Sequence, residues 1–565
     1  MSYAYGEQNP NQGETAVSWQ TWSDGNGNIP TIDGNADWGK LNLDLAGEEG
    51  RSAVYDLGSS HARTFTLTEN RYGTGGESAV LQIRGDDTTI FLQDAHSPMW
   101  ENYTTPVSKT WRYIQVRETT STIYYVDAGA GGDDGHTGLS IAEAWKTIQH
   151  AVDSVSAGAL VYILDGTYNE AVDLTGTTGT EGESGIPHHH ISYIGQSRDG
   201  VIIEGSDSLG YGFKSGQPAA GQKCMNCISI CNLTVQQFVS TGVLFFKDKA
   251  DGVYSASSSH DITIDNVCSH DNGGGGIVIL GGEVDGGSYN IRILNCETYN
   301  NVSAHHGIKL SGDAREITTG EHIYDSIIDH CISHNNTQMG IHCSSGNYNV
   351  RITNNISYGN GIDGIEGYQN WDCTYDHNIS YSNGQDGFNL GQCVNDTISN
   401  NLIYTNTRNG IVLNNVGGTT DTVHTVINNV IYGNVRGIEV STNGGDLFYH
   451  NTITNNTYGM YVQTCVGSNN LWYDNIISHN ATQEYFPAPN LNTCDYNCWH
   501  PAAQVDGHKG VHCFVGDPLF TTEFTNLHIG VGSSCIGTGN NVGVTLDLDG
   551  VTRGDPPDVG AYEYV

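Results

Sequence analysis

The chain has 565 residues, 62 acidic against 22 basic, for a formal net charge of −40, with 73 Gly and only 12 Pro. That charge argues against a sequence-independent nucleic-acid binder, which needs clustered Lys and Arg. No apolar run reaches the roughly 18 residues of a membrane-spanning helix, and a hydrophobic content of 37% is enough to build a core. Length alone suggests about three domains, a figure that fails for a repeat array, which grows in one direction without limit. Residues 1–13 are polar and expected to be flexible. They show neither a basic n-region nor an apolar h-region, so the expected extracellular location implies either a signal segment already removed or release as part of a virion.

Residues 14–118 contain short β-runs separated by polar turns, among them Ala53-Val-Tyr-Asp-Leu57, Arg63-Thr-Phe-Thr-Leu67, Ala79-Val-Leu-Gln-Ile83 and Trp111-Arg-Tyr-Ile-Gln-Val-Arg117. Strands at this spacing predict a β-sandwich. The order of these runs is similar to discoidin-like jelly rolls, a resemblance that implies carbohydrate binding; the plainer reading is a structural cap or an oligomerisation module. Next come Tyr124-Tyr-Val-Asp-Ala-Gly-Ala-Gly-Gly-Asp-Asp-Gly-His-Thr-Gly-Leu-Ser140, then Ala144-Trp-Lys-Thr-Ile-Gln-His-Ala151, and then Leu164-Asp-Gly-Thr-Tyr168. Trp145, Ile148 and Ala151 give the middle segment one apolar face, as an amphipathic helix requires.

From about residue 260 the sequence repeats. Each unit is a short strand, an Asn, a polar turn with a second Asn, and Gly-Ile opening another strand. Successive units read Ile352-Thr-Asn-Asn-Ile-Ser-Tyr-Gly-Asn-Gly-Ile-Asp-Gly-Ile365, Tyr375-Asp-His-Asn-Ile-Ser-Tyr-Ser-Asn-Gly-Gln-Asp-Gly-Phe388 and Ile398-Ser-Asn-Asn-Leu-Ile-Tyr-Thr-Asn-Thr-Arg-Asn-Gly-Ile411. The first Asn falls at 355, 378, 401, 429, 451 and 475, at intervals of 23, 23, 28, 22 and 24 residues; Gly417-Gly-Thr-Thr-Asp421 accounts for the long one. A period of this length with three β-runs and no 3.6-residue periodicity predicts a parallel β-helix, its coils stacked about 4.8 Å apart. Stacked Asn side chains would form an amide ladder over the turn backbone, and Cys296 and Cys331, which fill that column in earlier coils, read as small core residues.

The entry segment and its DGTY turn resemble the start of right-handed parallel β-helix proteins of the pectate-lyase superfamily, where a helix caps the open core. Asp517-Pro-Leu-Phe520, Asp547-Leu-Asp-Gly550 and Asp555-Pro-Pro-Asp-Val-Gly-Ala-Tyr-Glu-Tyr564 resemble the ending of bacterial members. The expectation is an all-β chain, with a solenoid over 122–565 of roughly a dozen coils following the sandwich at 14–118. The superfamily includes lyases, hydrolases, epimerases and non-enzymatic fibres.

In a solenoid a site must be built from neighbouring coils. Aligned on Gly-Ile, the outward column reads Val278, Lys309, His342, Glu366, Asn389, Val412, Glu439 and Tyr461; the next, apolar and hence inward, reads Ile279, Leu310, Cys343, Gly367, Leu390, Leu413, Val440 and Val462. Just before the Gly stand His306, Met339, Asp363, Asp386 and Asn409. Together with His305, these columns predict a polar strip about 15–20 Å long, suited to several sugar units. Lys309 stands out among only 9 Lys, although a plain surface lysine is the alternative. Tyr368, Trp371 and Tyr461 are candidates to stack on sugar rings, with turn packing as the plainer reading.

His306-Gly-Ile-Lys-Leu-Ser-Gly312 is similar to the lysine-bearing strand of one lyase branch, which carries a GFKLG-like stretch. The resemblance implies β-elimination on an acidic, uronate-containing polysaccharide, with Lys309 as base and calcium held by Asp363, Glu366 and Asp386. It departs from that branch in placing the acidic cluster after the lysine strand and in separate coils. His342, whose ordinary pKa lies near neutrality, is a second candidate base beside His306; His305 and Asn389 would contact substrate. Two carboxylates on adjacent coils also permit glycoside hydrolysis, and a glycan-binding virion fibre, tailspike or adhesin, monomeric or homotrimeric, is the non-enzymatic alternative. Two cysteine trios, Cys224/Cys227/Cys231 and Cys494/Cys498/Cys513, leave disulfides open and zinc as a lesser option.

Overall fold

The computed structural model describes residues 122–565 except 175–190, 216–225, 246–258, 282–286, 303–305, 313–321, 415–422, 442–443, 465–469, 486–491, 502–509 and 523–525. Before residue 122 it gives only the backbone of short strands, the longest pair being Ala79–Asp86 antiparallel to Tyr113–Thr120. The sandwich expected at 14–118, as a packed unit with a ligand face, lies outside the described residues, as does His305.

The rest is a right-handed parallel β-helix. Each coil contributes three strands, for example Ile323–Asp329, Ile332–His334 and Ile341–Ser344, followed one coil later by Asn347–Thr353, Ile356–Tyr358 and Ile365–Tyr368. Equivalent strands pair in parallel and in register, as in Ile332↔Ile356 and Ile341↔Ile365. Among the described residues the third strands form a twelve-stranded sheet from Val172–Asp173 to Thr482–Tyr485, and the first two ladders join into a second sheet of 26 strands. Alternation decides which side chains enter the core: in Ile308–Ser311, Ile308 and Leu310 are buried while Lys309 and Ser311 are half-buried. Burying each such aliphatic side chain stabilises the fold by about 1.5–3 kcal/mol, and the repeat multiplies that along the stack. Cys296, Cys331 and Cys343 are core residues, as expected.

The turns explain the sequence repeat. After the first strand the chain bends at one left-handed residue, such as Asn354 (φ 55°), His377 (53°) or Asn400 (55°), a conformation that short polar side chains tolerate best. The ladder Asn follows. Asn355 N–H and Nδ2 both donate to Asn378 Oδ1 at 3.0 Å, and Asn355 Nδ2 donates also to Ile328 O. The pattern continues through Asn401, Asn429, Asn451 and Asn475 to Asn497. A second ladder runs from Asn272 to Asn480 through the other Asn of the repeat. The recurrent Gly before Ile is required by close coil approach: a Cβ on Gly364 would lie 2.6 Å from Asn383 Nδ2 and 2.8 Å from Gly387 O.

Both ends are closed. The helix Ile148–Ser154 covers the first coil with Ile148, Ala151 and Val152. Trp145 precedes it and stacks on Tyr124 at 4.8 Å, so it belongs to the entry segment rather than to the helix. Thr147 accepts from His150 N–H, and the Glu170 carboxylate accepts from Ile148 and Gln149 N–H, satisfying the orphan donors of the first turn. At the other end Arg553 donates to Asn428 Oδ1 and Gly560 O, and Ala561 N–H donates to Thr452 Oγ1, which fastens the C-terminal segment across the second ladder. Cys224 lies outside the described residues. The described members of neither cysteine trio gather into a metal-ligating cluster, and Cys513 Sγ donates to Cys494 O at 3.5 Å.

Candidate functional site

The register of the twelve-stranded sheet sets Val278, Lys309, His342, Glu366, Asn389, Val412, Glu439 and Tyr461 side by side in that order. The column read from Gly-Ile is therefore a physical row. The row before Gly runs alongside it, since Gly307, Gly340 and Gly364 N–H donate to the carbonyls of Met339, Asp363 and Asp386.

The strip sits deeper than an outward column suggests. His306 is buried, and its ring meets His342 edge-on with centroids 4.1 Å apart. His342 Nε2 lies 3.1 Å from Glu366 Oε2. Burial, with His306 and Lys309 adjacent, holds His342 well below the ordinary histidine pKa, so the imidazole is neutral where it meets the carboxylate. Lys309 is held below the ordinary lysine value by burial, with Glu366 partly opposing.

The carboxylates form a coupled group. Asp363 Oδ1 accepts from Asp386 N–H at 2.9 Å, and Oδ2 accepts from Asn389 Nδ2 at 3.0 Å. Asp386 Oδ1 accepts from Asn409 N–H and Nδ2, and Oδ2 lies 3.6 Å from Arg408. Burial pushes Asp363 up, its hydrogen bonds opposing. Glu366 is pushed up to about 7 by burial and by the Asp363 and Asp386 charges, against Lys309. Asp386 also rises to about 7, by burial and Asp363, against Arg408 and Asn409. Asp363 and Asp386 are almost fully buried, whereas Glu366 Oε1 makes no hydrogen bond among the described residues.

Residues 124–470 match the model of the family described as the Pel9A-like, right-handed beta helix region. The chain belongs to this family. No curated protein matches the chain by sequence. Similar solved structures include the A-module of the mannuronan C-5 epimerase AlgE4 of Azotobacter vinelandii, at 16% identity over 66% of this chain and 100% of that one, TM-score 0.47. Pectate lyase Pel9A is similar at 18% identity over 78% and 96%, TM-score 0.43. An alginate lyase from Paenibacillus sp. str. FPU-7 is similar at 16% over 53% and 95%, TM-score 0.39.

In this Pel9A-like solenoid the aromatic candidates fall in different settings. Tyr368 is 38% exposed, beside Ser344 and Gly391 at the end of the Glu366 strand. Trp371 is buried between Tyr348 and Val394 with its ring edge-on to His322, so its face is not offered to the strip. Tyr461 carries the Arg436 guanidinium 4.1 Å over its ring. Two cations were not picked out from the sequence. Arg408 spans Asp386 and Gln385, and Arg436, which extends the pre-Gly row next to Asn409, donates to Glu439 Oε2 at 2.8 Å. Arg408 stands just before Asn409, and Arg436 pairs with Asn409 one coil later, so that position was the available signal.

Proposed function

We propose that the protein is a polysaccharide-degrading enzyme that acts on an acidic, uronate-containing glycan by β-elimination, with Lys309 as the base. The observation that carries this reading is a desolvated lysine, its pKa depressed, seated in a row with a neutral histidine and the half-buried Glu366, with buried Asp363 and Asp386 in the row alongside. A depressed pKa raises the share of neutral amine, the form that abstracts a proton. Lys309 takes the proton from C5 of the uronate, the electron pair forms the C4=C5 double bond, the C4–O bond breaks, and water protonates the departing oxygen. His342, set against Glu366, is a positioning residue, and His306 packs it from the side.

Calcium is the cation the carboxylates would take, although Asp363, Glu366 and Asp386 do not bring one ligand atom each within 4.8 Å of the others and would have to close on it. Asp363, Glu366 and Asp386 are hard oxygen donors from adjacent coils whose mutual repulsion a divalent cation would relieve. Bound there, it would neutralise the substrate carboxylate and acidify the C5 proton. Arg408 and Arg436 continue the positive field along the strip, which matters because a net charge of −40 repels a polyanion overall. Tyr368, Tyr461 and Asn389 would contact sugar units, and the substrate places the enzyme outside the cell or on a virion.

Hydrolysis is a second reading, favoured by Asp386 and Glu366 both lying near 7, where a carboxylic acid can protonate a leaving group. Incubation with pectate, alginate and glycosaminoglycans separates the readings. Ultraviolet absorbance from an unsaturated uronate is expected. Reducing ends without absorbance would mean hydrolysis, and binding without cleavage would mean a glycan-binding fibre.

A further inference from the structure

His479, His500 and Asp517 converge at the C-terminal end of the solenoid, beside the second strands of the last coils, Ile476–Ser478 and Cys498–His500, and not on the strip. Ser478 is in register with His500, so parallel stacking delivers His479 and His500 from successive coils. His479 N–H donates to His500 O at 2.8 Å, which fixes the two backbones relative to each other. Their ring centroids are 4.8 Å apart with the planes tilted 52°. Elsewhere on the same ladder, neighbouring rings from His270 through Tyr299, His334, Tyr358, Tyr381 and Tyr404 to Tyr432 stack within 11° of parallel. That column continues through Thr454 and Ser478 to His500, and His479 stands one residue past it, which sets its ring at an angle to His500.

The third group comes from the segment that leaves the stack. Asp517 opens the Asp-Pro-Leu-Phe turn, where its Oδ1 accepts from Leu519 N–H at 2.9 Å. That bond orients the carboxylate, and Oδ2 makes no hydrogen bond among the described residues. One ligand atom from each of the three residues lies within 4.8 Å of the others, and Phe520, 6.3 Å from His479, forms an apolar wall beside them.

We propose that His479, His500 and Asp517 bind a first-row divalent transition metal, with zinc the best match, which fastens the C-terminal segment to the last coils. Two imidazole nitrogens and one carboxylate oxygen suit zinc or cobalt, whereas calcium takes six to eight oxygens. Modest side-chain movement closes the ligand atoms onto bonds of about 2.0–2.2 Å, and water completes the shell. The chain's net charge of −40 concentrates divalent cations around it. Because the ligands come from two coils and the following segment, the metal binds the folded chain and not the unfolded one, and so stabilises it by mass action.

The test is Co²⁺ titration of the full chain followed by visible absorption, with thermal unfolding in excess Zn²⁺. The intact chain is expected to take up one equivalent of Co²⁺ that is absent from His500→Gln and at least about tenfold weaker in Asp517→Asn, and Zn²⁺ is expected to raise its unfolding midpoint by several degrees. Asp517→Asn keeps the Oδ1 acceptor for Leu519 N–H, so its metal-free near-ultraviolet circular dichroism serves as the folding control. Glu366→Gln should retain this equivalent. Co²⁺ uptake unchanged in both site variants, no uptake by the intact chain, or loss of the equivalent in Glu366→Gln would each overturn the proposal.

Discussion

His342 Nε2 lies 3.1 Å from Glu366 Oε2, one coil to the next, beside Lys309. The imidazole is kept neutral by burial, so it sits against the Glu366 carboxylate without cancelling its charge. With Asp363 and Asp386 in the neighbouring row, that carboxylate completes the candidate calcium site. Excess chelator is therefore expected to abolish product formation, and calcium to restore it. Glu366→Gln should need at least about tenfold more calcium for half-maximal rate. Full activity in chelator would remove calcium from the account.

The Asn ladder should be costly to interrupt. Asn378 accepts from Asn355 N–H and Nδ2, and donates to Ile352 O and Asn401 Oδ1. Asn378→Ala strands several buried polar groups at once, at about 1–3 kcal/mol for each group left unsatisfied. A loss of about 3 kcal/mol or more is expected in urea unfolding, read from the midpoint at constant slope. A change under about 1 kcal/mol would show that the ladder is not stabilising.

Gly364 lies between Asp363 and the Glu366 strand, where an added Cβ meets Asn383 Nδ2 and Gly387 O of the next coil. Gly364→Ala must spread the coils or bend the strand, for about 1–3 kcal/mol. Because both candidate ligand rows pass through this point, the glycan-cleaving rate is expected to fall more than the stability does. Kinetics and denaturant unfolding on the same variant provide the comparison.

A third ladder makes stability depend on pH. Asp396 Oδ1 accepts from Cys373 N–H, His424 Nδ1 accepts from Asp396 N–H, and Asp446 Oδ1 accepts from His424 N–H. Burial pushes Asp396 up to about 8 and His424 down to about 4. Between about pH 6.5 and 8 the folded chain holds a proton on Asp396 that the unfolded chain has lost, so stability falls as pH rises, by roughly 1 kcal/mol per pH unit. Between about pH 4 and 6.5 the unfolded chain also binds a proton at His424 that the folded chain does not, and the two slopes oppose each other. Asp396→Asn, matching the Asn470 farther along the column, is expected to flatten the decline above pH 6.5 and to raise stability at pH 8. An unchanged slope would contradict this.

The fold was legible because a stacked repeat turns sequence spacing into spatial adjacency. Aligning Gly-Ile placed Lys309, His342, Glu366 and Asn389 in the row that the strand register gives. Depth was not legible. An outward position says nothing about how high its neighbours rise, and they leave His342 only half-exposed and Asp386 buried. Trp371 was read as a sugar platform because its residue type suits that role, but its packing against His322 depends on a contact between coils that spacing does not reveal. The Cys373, Asp396, His424, Asp446, Asn470 column went unread although its intervals of 23, 28, 22 and 24 match those of the first Asn column; its residue types change from coil to coil, so only spacing marked it.

The central claim is that Lys309 removes a proton from a uronate. It is tested most directly by the rate of unsaturated-uronate formation in the intact chain and in Lys309→Ala, on whichever acidic glycan the intact chain cleaves. The variant is expected to fold normally and to lose at least about 100-fold in rate. Cleavage within a few-fold of the intact chain, or cleavage that yields reducing ends with no ultraviolet absorbance, would contradict the account.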